Sequence, residues 1–438
     1  MPGAFPRRTS DNLRGRVTTE RRISPQRVLV PLGFGTAVSL LGDNTLYTVL
    51  PRPEIAAQAG VTLAMVGVLL GANRAVRLVF NGAAGALNDR LSRRWLLVGS
   101  LFLGALSTLI VAVGHGFWPL LVGRVLWGAA WSGIWVGGNT MVLDVADETN
   151  RGRLSGQYQM WFFIGVGAAA LIGAVLTDLF GFRRGLLISA GLTGLAALLW
   201  LAVLPETRPA RSAAARAAAA AERLPLPWRV ALTAAVPVFF TRFVFAGVMT
   251  ATTILWLTDF VGDRLMVAAV VVPIATLTGI FAALRSVSSL LGAPLVGHLS
   301  DRAGRRWPVL AGVMAVGAAG AWLMGGEGLA VALFGGLVAS VASSGAQTVA
   351  PALVGDGATA AQRGRVLSVI YTFGDLGSAL APPLALALVG FLPIGTLYRL
   401  CAGLLAGVAL YAVWQSARER AVLEAVAEPE EGVAGSVG

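Results

Sequence analysis

Ten residues that occur twice constrain this chain more than any other feature. Gly85-Ala86-Leu87-Asn88-Asp89-Arg90-Leu91-Ser92-Arg93-Arg94 closes one apolar run and opens the next. The pattern returns 212 residues later as Gly297-His298-Leu299-Ser300-Asp301-Arg302-Ala303-Gly304-Arg305-Arg306. The same offset carries Asp144 onto Asp356 and Arg151-Gly152-Arg153 onto Arg363-Gly364-Arg365. Landmarks in one register across a fixed offset mark an internal duplication, which decides the architecture before any local reading does. The chain is two homologous halves running in parallel.

What each half contains follows from hydropathy. Of the residues 56% are hydrophobic and 13% charged, where a soluble domain carries roughly 25% charged. Mean hydropathy is +0.74. Apolar runs near the ~20 residues a bilayer demands fall at 28–50, 61–87, 95–113, 117–143, 154–176, 184–204, 235–258, 267–297, 307–325, 329–354, 366–390 and 393–415. In lipid the backbone must satisfy its own hydrogen bonds, so runs this long are helices. The expected fold is all-α: twelve transmembrane helices in two pseudo-symmetric six-helix bundles. The expected division is a tail 1–27, a bundle 28–204, a linker 205–228 with an alanine-rich, partly helical stretch, a bundle 229–415 and a tail 416–438. That last tail is expected to be a short helix and then disordered from Pro429. The 55 glycines suit close helix approach in a membrane.

The net charge of +12 could suit nucleic acid, but its placement argues otherwise. With the N-terminus inside, 24 arginines fall in cytoplasmic segments, 4 in external loops (Arg52, Arg183, Arg184, Arg264) and 6 within helices. The positive-inside rule then puts both termini in the cytoplasm of a multi-pass plasma-membrane protein. No nucleic-acid partner is expected. The partners are the bilayer, a small molecule and a proton, and the chain is expected to act as a monomer. Segment 1–27 lacks the short apolar core and cleavage site of a removed signal peptide. Cys401 is the single cysteine, which excludes an internal disulfide. Two histidines, no nucleotide-binding loop and no metal-ligand spacing give no enzyme, no cofactor and no metal.

The duplicated loop has a chemistry of its own. Asp89 and Asp301 stand where a helix leaves the membrane, and a carboxylate there can accept from a neighbouring helix start. Arg90, Arg93, Arg94, Arg302, Arg305 and Arg306 can pair with Asp144 and Asp356. Such pairs tie the bundles together on one side and break when that side opens, or else simply anchor topology. The pattern G-x-L-x-D-R-x-G-R-R, present in both halves with D-x6-R-G-R closing helices 4 and 10, resembles the signature loop of the major facilitator superfamily. Ser92 departs from that pattern; Gly304 keeps it. The resemblance spans nearly the whole chain. It implies a transporter with helices 1, 4, 7 and 10 around a central cavity, and a loop cluster that latches the outward-open state.

Charges inside the apolar runs are the remaining signal. An arginine at mid-helix costs about 2.5–3.5 kcal/mol even on insertion scales, so each should face protein or water. Asp43 of helix 1 and Arg124 of helix 4 lie at matching depths and can pair. Arg124-Val125-Leu126-Trp127-Gly128 also resembles the R-x-x-x-G element of proton-driven members, which implies that Asp43 and Arg124 couple a proton. A static ion pair is the alternative. Arg74 and Arg77, one turn apart, either pack on backbone carbonyls or bind an anion, and Asp375 is a second group that could titrate. Arg124, Trp127, Trp131, Trp135 and Asn139 form one stripe; the offset maps it onto Gly336, Ala339, Ser343, Gln347 and Pro351. The candidate cavity residues are Tyr47, Trp131, Trp135, Asn139, Arg242, Ser343 and Gln347. Aromatic walls suit flat apolar or cationic molecules. The expected function is alternating-access antiport that exports such a compound against protons. The alternatives are import of an anionic metabolite, favoured by the arginines, and a receptor or scramblase of the same fold.

Overall fold

The computed structural model describes residues 24–147, 150–207, 225–267 and 270–427. The expectations for most of the N-terminal tail, for the alanine-rich linker centre and for the tail beyond Pro429 lie outside the described residues, as does the side chain of Asp89.

Among the described residues, twelve long helices carry the fold: α1 Pro25–Val49, α2 Leu63–Arg90, α3 Arg93–Val113, α4 Phe117–Asp144, α5 Arg151–Phe180, α6 Phe182–Val203, α7 Trp228–Val261, α8 Ile274–Ala303, α9 Arg306–Met324, α10 Leu329–Gly357, α11 Ala360–Leu388 and α12 Ile394–Ala427. Among the described residues, α2 to α12 supply eleven helices long and apolar enough to cross a membrane. The helix α1 has 25 residues. Its Asp43, Asn44 and hydroxyl side chains lower its hydropathy, and it packs along α5 and α6. Large apolar side chains such as Val79, Leu195, Leu291 and Leu410 point outward, as a lipid-facing surface requires.

The local punctuation is chemical. Pro53 begins a short helix, Pro53–Ala59, and Gly60 ends it at φ 75°, a left-handed position that suits glycine. Thr62 Oγ1 then accepts from Met65 N at 3.3 Å to start α2. Three details differ from expectation. The run predicted as helix from 267 begins instead with a hairpin, β1 Arg264–Val267 paired antiparallel to β2 Val270–Pro273, because β-branched residues favour strand before Pro273 allows α8 to begin. The helix α12 continues unbroken to Ala427 rather than yielding a separate short helix. Within α7, residues Arg242–Met249 form a π-helical turn, and Thr250 Oγ1 donates to Phe245 O at 2.8 Å.

Contacts follow the duplication. In the first half α1 packs on α5 and α6, α4 on α2 and α3, and α3 on α6; α7 on α11 and α12, α10 on α8 and α9, and α9 on α12 repeat this in the second. The halves meet through α2 against α11 and α5 against α8, which exchange under the same equivalence. Both seams are closest away from the arginine-rich loops. A Cβ on Gly67 would lie 2.7 Å from Pro383 Cα, and one on Gly71 would overlap the Ala379 carbonyl. On α5 and α8, a Cβ at Gly279 would lie 2.8 Å from Leu171 Cα. Farther along α2, Gly82 and Gly85 meet nothing within 4 Å. The helices are therefore apposed at the arginine-poor end. There Arg52 pairs with Asp263 at 3.0 Å, and Asp178 accepts from Thr276 N at 2.8 Å and Thr276 Oγ1 at 2.6 Å.

This geometry makes Gly71→Val a test of closure. Overpacking costs roughly 1–3 kcal/mol, so transport in proteoliposomes should fall about tenfold, whereas Gly82→Ala should stay within about twofold. Equal effects of the two would remove the assigned seam.

Candidate functional site

The site is a layer of charge at mid-span between α1, α2, α4, α7 and α11. Asp43 Oδ1 lies 2.6 Å from Arg124 Nη1, and both side chains are buried, at 9% and 2% exposure. Asn73 Nδ2 donates to the same Oδ1 at 3.0 Å, and Arg124 Nε donates to Leu69 O at 3.1 Å. The approach depends on small residues: a Cβ on Gly128 would lie 2.7 Å from Asn73 O. The Tyr47 ring sits between two guanidinium groups, with Arg124 Cζ 5.5 Å and Arg74 Cζ 5.6 Å from its centroid. Arg74 Nε donates to the Tyr47 hydroxyl at 3.3 Å, and that hydroxyl donates to Leu70 O at 2.8 Å.

One turn farther along α2, Arg77 Nη2 lies 2.6 Å from Asp375 Oδ1 on α11, and Asn81 Nδ2 reaches Asp375 Oδ2 at 3.4 Å. This pair joins the two halves. Backbone carbonyls were one of the two expected partners of Arg74 and Arg77. The structure corrects this, giving Arg74 a tyrosine hydroxyl and Arg77 a carboxylate. Only the α2–α11 seam brings Arg77 and Asp375 together, and no local pattern encodes it. Arg242, at the first residue of the π-helical turn, shares the electrostatic surroundings of Asp375, Arg74 and Tyr371. With Thr241, Gln347 and Tyr371 it lines a recess.

The aromatic stripe divides. Trp127 and Trp131 belong to the core of the first half, 2% and 6% exposed. Trp131 stacks on Trp135 at 5.7 Å and lies 5.8 Å from Phe162 of α5. Trp135 keeps a partly open face, stacked on Tyr158 at 5.7 Å and 5.0 Å from Phe162. Asn139 donates to Trp135 O at 2.7 Å, and Gln347 to Ser343 O at 3.3 Å. Of the expected lining, Tyr47 and Arg242 join the charged layer, Trp135, Asn139, Ser343 and Gln347 remain part-exposed, and Trp131 is core.

At the arginine-rich end, Arg93 Nε lies 3.2 Å from Asp144 Oδ2, and Arg306 reaches Asp301 at 2.6 Å and Asp356 at 3.1 Å. These pairs join helices within one half; the expectation that they tie the bundles to each other is corrected for this conformation. The second copy is also one residue out of register, since the offset maps Arg93 onto Arg305 while Arg306 takes Asp356. The cause is local. Gly304 at φ 64° ends α8 one residue later than the offset from Arg90 would place it, whereas Ser92 is extended and caps α3, accepting from Trp95 N at 3.4 Å. Each helix thus offers its first residue, Arg93 or Arg306, to the aspartate. Arg302 and Arg305 are exposed, Arg90 is exposed, and Arg94 bonds the Leu201 carbonyl and stacks on Trp95. Glu206, at the start of the expected linker, bonds Ser92 and accepts from Arg93 N at 3.1 Å, a carboxylate at the start of α3.

Comparison with known proteins agrees with the helical membrane fold. The family description "Major Facilitator Superfamily" matches residues 32–286 and 275–435. The chain is similar to the inner membrane transport protein YajR of Escherichia coli strain K12, 28% identical over 184 residues, 41% of this chain and 40% of that one. It is also similar to the class C tetracycline resistance protein of Escherichia coli, 26% identical over 198 residues, 45% of each. The chain thus spans less than half the length of these two relatives. Among solved structures, a bacterial homologue of the human lysosomal transporter Spinster, inward-facing and unoccupied, superposes with a TM-score of 0.66 at 18% identity, covering 90% of this chain and 95% of that one.

Proposed function

The chain belongs to the Major Facilitator Superfamily and is a multi-pass membrane transporter, not an enzyme, and from that premise we propose that it is a proton-coupled secondary transporter that moves a small, flat organic compound outward. The observation that carries the coupling is the buried Asp43–Arg124 pair with Asn73 as a third partner. A carboxylate held beside an arginine in low dielectric changes charge only when water or a proton reaches it. Access from alternate sides then converts a pH difference into directional motion. Arg124 keeps Leu69 O and the Tyr47 ring when Asp43 is neutral, so the arginine has somewhere to stay.

The arginine-rich end is the cytoplasmic one in this reading, with both termini inside and the protein in the plasma membrane. The seams between the halves then close the outer mouth, and the described state faces the cytoplasm. Outward movement is supported by likeness to a tetracycline resistance protein. The substrate's charge is the point on which geometry weighs. Arg74, Arg77, Arg124 and Arg242 stand against Asp43 and Asp375 in the described mid-span layer, an excess of two positive charges. That excess disfavours a cation and supports the anionic reading.

The test is reconstitution with a pH dye inside proteoliposomes. Addition of cargo should move protons the opposite way, using ethidium, tetracycline and aromatic carboxylates as probes. Accumulation of any probe that survives collapse of the pH gradient by an ionophore would sink the coupling.

A further inference from the structure

We propose that Arg74 and Arg242 form the two jaws of a carboxylate seat between the halves, and that the cargo is an aromatic monocarboxylate. This rests on the transporter reading above and names its substrate class. The first observation is unused donor capacity. Arg124 and Arg77 are each paired with an aspartate, but the Arg242 guanidinium donates no hydrogen bond to any described residue, and that of Arg74 donates only through its Nε, to Tyr47. Two planar guanidinium forks therefore keep unused N–H groups at mid-span. One comes from each half, on α2 and on α7.

The second observation is charge. The two lie within each other's electrostatic reach and share Asp375, whose Oδ1 is already held by Arg77 at 2.6 Å. Arg77 Nε and Arg124 Nη2 are buried without a partner as well. An arginine in this layer is costly unless a counter-charge is near, and like charges add to that cost. A carboxylate answers both, since it matches the guanidinium fork with two parallel N–H···O bonds.

The third observation is the wall. Tyr47 lies under Arg74 on one side, and Tyr371 shares the Arg242 recess with Gln347 and Thr241 on the other. Gly128 of α4 packs against Asn73 and Val76 of α2, so Trp135, seven residues on, lies below the arginine layer toward the arginine-rich end. Its part-exposed face and Phe162 give a flat apolar body something to stack on. The π-helical turn supports the assignment of Arg242: such turns are uncommon and recur at functional sites. A ligand held by one arginine from each half also bridges the two bodies that must move together.

Binding is measured by tryptophan quenching and thermal shift on the purified full chain in nanodiscs. The probes are benzoate and 2-naphthoate, each against its neutral amide and its methylamine analogue. The expected result is that the carboxylates bind about tenfold tighter than the amides, a difference of about 1.4 kcal/mol, and that the preference vanishes in R74Q and in R242Q. R242K keeps the charge without the fork and should retain part of it, which separates the seat from misfolding. Amides as good as the acids, amines that bind best, a preference intact in both glutamine variants, or no response to either acid would each overturn the proposal. Inorganic phosphate that displaces naphthoate as well as benzoate does would overturn the aromatic part. These are equilibrium measurements without a pH gradient. Carboxylate binding with no proton movement would sink the coupling and leave the seat, and the reverse would sink the seat alone.

Discussion

Asp43→Asn is expected to reduce pH-driven accumulation in everted vesicles to the level of membranes lacking the protein, while facilitated equilibration of cargo persists. The substitution keeps the volume and the Asn73 contact but removes the charge that faces Arg124 at 2.6 Å. Stability should fall too, because truncating one member of a buried pair costs about 3–5 kcal/mol by leaving the other charge unmatched. The two effects separate in the double variant Asp43→Asn with Arg124→Gln. Two neutral side chains at matched positions should recover most of the lost thermal stability and none of the coupling. If the double variant is as unstable as the single one, the pair is not the source of the loss. If the single variant still accumulates cargo along a pH gradient, Asp43 is not the coupling group.

Asp375→Asn is expected to shift the protein away from the state described here and toward one with its arginine-poor mouth open. Among the described residues, Arg77 and Asp375 form the buried ion pair that spans the α2–α11 seam, with side chains 8% and 13% exposed. Arg52 and Asp263 also cross between the halves, but at 23% and 69% exposure. The contrast decides which matters. An exposed pair contributes roughly 0.2–1 kcal/mol, so Arg52→Ala should move the equilibrium only slightly, and less at high salt. Loss of the buried partner should move it by up to about 3–5 kcal/mol. The measurement is a spin-label distance between cysteines placed at Gln58 and Gly390, both exposed beside α2 and α11 at that mouth, in a Cys401→Ser background. The distance should lengthen in Asp375→Asn and stay nearly unchanged in Arg52→Ala. The opposite ranking would place the controlling contact at the rim rather than in the layer.

The duplicated loop and the long apolar runs were enough to give the helical membrane class and the paired halves, because both are written in one dimension. A span must be long and apolar wherever it sits, and a repeat keeps its spacing through any packing. The depth match of Asp43 and Arg124 was legible for the same reason, since helix rise converts sequence distance into depth. The hairpin at 264–273 was hidden because valine-rich sequence serves a strand or a lipid-facing helix equally well. The one-residue slip between Arg93 and Arg306 was also hidden, because it depends on whether Ser92 caps a helix start or Gly304 turns a helix end.

Partner choice across the seam belonged to the tertiary structure alone. Arg77 and Asp375 are 298 residues apart, and nothing between them fixes the distance at which α2 meets α11. Gly67, Gly71, Pro382 and Pro383 set that distance by close packing. The same holds for Trp131, whose place on the stripe was readable while its burial by Phe162 of α5 was not. Sequence determined which helices exist and how deep each charge lies. Only the packing of one half on the other decided which charges meet and which guanidinium groups keep their donors free, because rotation and approach of a helix are properties of its neighbours.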